Sequence, residues 1–123
     1  MSTMALVPAA FVRDGTWDEA ERLEKESAGL DPKDFDAAMA RQEEALLGIL
    51  AGFSDEDLLH GATEMPWGTP CRKGEGLVNM VLKCLVAYRM QLFLYAKGAG
   101  NHDLGPADCW VGVSPKKPPA ASS

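Results

Sequence analysis

The sequence predicts an all-α domain, and three observations carry that reading. Sixteen of the twenty residues from Leu77 to Ala96 are apolar, with no glycine or proline among them. An apolar stripe at helical spacing runs from Phe35 to Phe53. Helix-start signals recur at Thr16, Asp31 and Ser54. With 123 residues and 46% apolar content, the chain is long enough for one domain with a real core.

The first fifteen residues read as an irregular segment, punctuated by Pro8 and Gly15. The N-terminus has neither a basic region nor a long apolar stretch, so no signal peptide is expected and the expected location is cytoplasmic. Thr16 and Glu19 have the spacing of a capping box, opening a helix that runs to about Ala28. Its apolar positions (Trp17, Ala20, Leu23) are sparse, so it belongs on a surface. Asp31 is a good N-cap and Pro32 suits the first helical position, while Leu30 and Phe35 have the spacing of a hydrophobic staple. A helix is expected over 32–52, with Gln42 as the one polar interruption of its stripe. Ser54 to Asp57 opens a short helical turn ending near Leu59.

Residues 60–75 are rich in glycine and proline and read as a loop, in which Trp67 covers the end of a core or Met65 to Gly68 form a short strand-like crossover. The run 77–97 reads as a helix buried over most of its circumference, ended by Gly98 and Gly100. Its length, about 30 Å, also matches a membrane span. Lys83 and Arg89 oppose that alternative at about 2.5–3.5 kcal/mol each. The central helix of a soluble bundle is therefore expected, with no membrane. Residues 114–123 read as a disordered tail, leaving 16–113 as the helical domain.

Charge excludes one class of function. Twelve basic against eighteen acidic residues leave a net charge of −6, the wrong sign for neutralising nucleic-acid phosphates. The imbalance is uneven. Residues 1–57 hold fourteen acids and five bases, and residues 58–123 hold four and seven. A solvated acidic face explains this, and so does attraction between complementary surfaces of a dimer. The three cysteines, Cys71, Cys84 and Cys109, show no zinc spacing and are expected to be reduced thiols. His60 and His102 stand near the ends of elements, as surface or capping residues.

No P-loop, dinucleotide-binding, nucleophile-elbow or zincin motif is present. The candidate ligand-binding residues lie on the 77–97 helix. Cys84 and Tyr88 are one turn apart and share a face, and Arg89 and Gln91 bring polar groups to an apolar helix. If buried, Tyr88, Arg89 and Gln91 need partners, either acids such as Glu43 or Glu44 that hold a bundle in register, or a ligand in a small pocket.

The segment from Tyr88 to Gly100 resembles the last core helix of the DinB-like superfamily. That helix commonly reads H-x-x-x-H-R-G-Q-L, followed by a tyrosine and a glycine stop; Arg89, Gln91, Leu92, Tyr95 and Gly100 match it. Phe53 to Leu58 is similar to the family's segment before its long crossover loop, and Cys109 to Val113 resembles the tail of one subgroup. The similarity spans about residues 33–113. It implies a DinB-like four-helix-bundle type with a long crossover loop, and in many members a divalent metal on three histidines or a thiol-dependent transferase activity. Here the H-x-x-x-H positions hold Cys84 and Tyr88, and no third histidine stands on an early helix. The resemblance therefore implies a degenerate metal site, no cofactor and a shortened or partial member of the family. One amphipathic helix and one weak helix can cover only about half of a helix as apolar as 77–96, so a homodimer is expected to complete the bundle. The function expected is a non-catalytic bundle acting through dimerisation or through partner or ligand binding. The alternative is a small metal- or thiol-cofactor-dependent transferase with a modified site.

Overall fold

The computed structural model describes residues 4–111. The chain is all-α apart from one small hairpin, in the order α1 (Leu6–Asp14), α2 (Asp18–Ser27), a 3₁₀ turn (Pro32–Asp34), α3 (Phe35–Ala51), α4 (Asp55–His60), β1 (Ala62–Glu64), β2 (Pro70–Arg72), α5 (Lys73–Gly76), a π-helical segment (Leu77–Leu82), α6 (Lys83–Gly98) and α7 (Pro106–Trp110). It divides into two compact units, one ending at Leu85 and one starting at Val86.

The first unit is built around α1, where an irregular segment was expected. Pro8 falls in the first turn of α1, where a backbone N–H has no intrahelical acceptor to lose. Gly15 closes the helix in the left-handed conformation, its N–H donating to the Phe11 carbonyl. Leu6, Ala9, Ala10, Phe11 and Val12 are all buried, Val12 completely at 0% exposure. Phe11 and Val12 pack with Met65 and Met80, while Ala5 and Ala9 pack with Val81. The small side chains let neighbouring elements come close. The same logic explains Gly76, where a Cβ would lie 3.1 Å from a Val12 methyl carbon and 3.2 Å from that of Thr63.

Local signals set the other elements. The Thr16 capping box does not form: Trp17 is the N-cap of α2, without a side-chain cap, and stacks on Phe11 at 4.2 Å. Asp18, Glu19 and Glu21 instead place negative charge at the positive end of α2. The Asp31 carboxylate accepts the Lys33 N–H at 2.9 Å, starting the turn that leads into α3. Leu30 and Phe35 both stay exposed. The Ser54 box is complete, with the Ser54 hydroxyl accepting from Asp57 N–H and the Asp57 carboxylate accepting from Ser54 N–H, each at 3.1 Å.

Gln42, the polar interruption of the α3 stripe, is 4% exposed. Its Oε1 accepts the Ala5 N–H at 2.9 Å, satisfying a donor at the start of α1 that no helical turn serves. What looked like a flaw in the stripe is the link between α3 and α1.

Residues 60–75 are not a loop throughout. β1 and β2 pair antiparallel, with Thr63 opposite Cys71, and Gly68 takes a positive φ of 88° in the connecting turn. Met65, not Trp67, anchors this hairpin in the core; Trp67 is 74% exposed.

Lys73–Gly98 is one helical run of 26 residues. Its expected burial does not occur: among its large apolar side chains only Met80 and Val81 are buried, and α6 has no buried residue. The nine residues of α1 span roughly 13 Å and pack on the Lys73–Leu82 part of the run. Within that segment the Asn79 amide donates to the Glu75 carbonyl at 2.9 Å, and Lys83 Nζ donates to Asn79 Oδ1.

The second unit joins the rest of α6 to α7. Cys109 is buried with its Sγ 3.6 Å from Met90 Sδ, and Gly105 N–H donates to the Asp108 carboxylate at 2.8 Å. The expected disordered tail, 114–123, lies outside the described residues.

Candidate functional site

The four candidate residues sit on α6, Cys84 in the first unit and the other three in the second. Cys84 and Tyr88 are half-buried. Arg89 Nη2 donates to the Trp110 carbonyl at 3.0 Å, which ties α7 to α6. Gln91 Nε2 donates to Tyr95 Oη at 3.0 Å, one turn along the same helix. Arg89 and Gln91 thus find their partners within the second unit, and the sequence reading missed the role of Arg89 as the anchor of the Trp110 carbonyl.

A metal of the kind the family resemblance implies does not fit these residues. In the resemblance Cys84 and Tyr88 stand where the family has its two imidazoles, and a phenol is a poor substitute for imidazole as a metal ligand. Among the described residues no three His, Cys, Asp or Glu side chains gather in a group able to hold a metal ion. His60 ends α4 and His102 follows α6, both exposed. Desolvation, with a smaller contribution from the charge of Glu75, pushes the pKa of the Cys71 thiol up.

The first unit does carry a different surface feature. Two apolar grooves run along α3. One, of about 470 Å³, lies among Phe35, Met39, Leu46 and Leu85, with Asp36 and Glu43 on its rim. The other, of about 200 Å³, is formed by Leu46, Leu50, Leu77, Val78, Val81, Leu82 and Leu85. Leu46 and Leu85 belong to both, so the two are contiguous. The sequence held the signal for this groove, since its residues are the α3 stripe and the start of the apolar run. What it lacked was any sign that the stripe would stay partly uncovered.

The second unit has exposed apolar side chains of its own. Leu94 is 58% and Tyr95 61% exposed, and Val86, Met90 and Leu92 are also exposed. Isolated exposed leucines are ordinary; here five large apolar side chains are exposed within ten residues of one helix. No protein-family profile, curated protein or solved structure matches the chain.

Proposed function

We propose that this chain is a non-catalytic, degenerate DinB-like helical protein that works by assembling into a homodimer. The carrying observation is apolar surface left open in each unit: the groove along α3 in the first and, separately, the exposed apolar side chains of Val86–Tyr95 in the second. Leaving a leucine or valine in water forgoes about 1.5–3 kcal/mol of burial energy per side chain, so a partner that covers several of them gains a large driving force. The all-α fold is consistent with the family resemblance, and of the residues matching the family motif Arg89, Gln91 and Tyr95 make structural hydrogen bonds and Gly100 stands at the helix end. Gly100 ends the helix at a φ of 100°.

The second copy is favoured over a lipid bilayer on charge. Lys83, Arg89 and Lys97 interrupt the apolar run at intervals a membrane core would penalise. Size-exclusion chromatography with light scattering tests the reading: the expected mass is twice 13.2 kDa at micromolar concentration. A monomer there, or recovery of the chain only with lipid, contradicts it.

A further inference from the structure

We infer that the groove along α3 receives the Val86–Gly98 segment of a second copy, and that the exchange is reciprocal. This rests on the assembly reading above and specifies which surfaces meet.

Charge is the first argument. The rim of the groove carries Asp36 and Glu43, both exposed, seven residues apart on α3. The only charges in Val86–Gly98 are basic, Arg89 and Lys97, eight residues apart. At 1.5 Å and 100° per residue the two pairs are spaced by about 10.5 and about 12 Å along their helices and by about 20° and about 80° around them, so surfaces of opposite charge present similar axial intervals. Arg89 and Lys97 each donate to a backbone carbonyl, of Trp110 and Leu104. Neither bond cancels a positive charge.

Area is the second. Thirteen helical residues span about 20 Å, and half the girth of such a helix presents roughly 400 Å². One helix face laid on another would bury only about half of the roughly 800 Å² per partner typical of stable complexes. In a reciprocal exchange each copy gives a helix face and also receives one in its groove, which reaches that value. The groove is long enough, since Phe35 to Leu50 spans about 22 Å.

The test uses two full-length variants whose changes lie on exposed or partly exposed side chains, each checked for wild-type helicity. One carries Asp36→Lys and Glu43→Lys, the other Arg89→Glu and Lys97→Glu. Each alone is expected to raise the dimer dissociation constant about tenfold at low ionic strength, with a smaller change at high salt. Mixed together they restore near-wild-type affinity, because both grooves then face helices of opposite charge. If the wild type dimerises and the lysine variant does so equally well, this assignment of surfaces is overturned while assembly stands. If each variant is weakened but the mixture is not restored, the pairing is likewise overturned. A monomeric wild type, with or without binding to zwitterionic phospholipid vesicles, overturns the assembly reading itself.

Discussion

The helical run Lys73–Gly98 has two parts, both rich in apolar residues and with opposite fates. Around Leu77–Leu82 the run lies against α1, and Met80 and Val81 are buried in the two core clusters. From Lys83 to Gly98 no residue is buried, although eleven of these sixteen residues are apolar. Apolar content measures how much a segment gains from being covered. Whether its own chain can cover it depends on how many other helices are available and how long they are.

Substitutions should separate the halves. The largest effect belongs to the core: Phe11→Ala is expected to cost about 3–5 kcal/mol in denaturant unfolding, because Phe11 fills the space between Val12, Met65 and Met80. Leu94→Ala, at an exposed site, should change the stability of the monomer by less than about 0.5 kcal/mol. Comparable costs at the two sites would erase the distinction.

Gln42→Ala is next, at about 1–3 kcal/mol, since it leaves the Ala5 N–H buried without an acceptor. Gly76→Ala should cost a similar amount, about 1–3 kcal/mol, by pressing its methyl against Val12 and Thr63. Thermal or urea melts of both variants would show whether α1 is the hub of the first unit; near-neutral values would move the hub elsewhere.

Within the first unit the smallest of these effects is at the α4 cap. Ser54→Ala should cost about 0.5–2 kcal/mol. Hydrogen bonds from Ser54, its backbone N–H first and its hydroxyl second, hold the Asp57 carboxyl below its usual range. A depressed carboxyl pKa stabilises the fold above the unfolded value and loses that contribution as pH falls through the folded one. The loss therefore lies below roughly pH 4. NMR titration should show Asp57 moving toward its ordinary value in the Ser54→Ala variant, and an unchanged titration would contradict the role of the hydroxyl.

Legibility in the sequence followed the same divide. Elements specified locally could be read: α3 from Asp31 and Pro32, α4 from Ser54 and Asp57, and the end of α6 from Gly98 and Gly100. Two could not. Pro8 and Gly15 look like breaks, yet one sits where a helix tolerates proline and the other is the stop, so α1 between them was hidden. The hairpin was hidden because each strand is only three residues long and Pro70 lies within one. The candidate site was read only as positions on a helix. That Arg89 would reach the Trp110 carbonyl depends on where α7 lands, which no local pattern encodes.

Hydrogen exchange followed by mass spectrometry over a wide range of protein concentration separates a core made by one chain from a surface made by two. Protection of Leu6–Val12 is expected to stay constant, because that core forms within one chain, whereas protection of Val86–Gly98 rises with concentration as copies pair. Protection of Val86–Gly98 that is equally independent of concentration, in a chain that sediments as a single copy, would contradict that pairing.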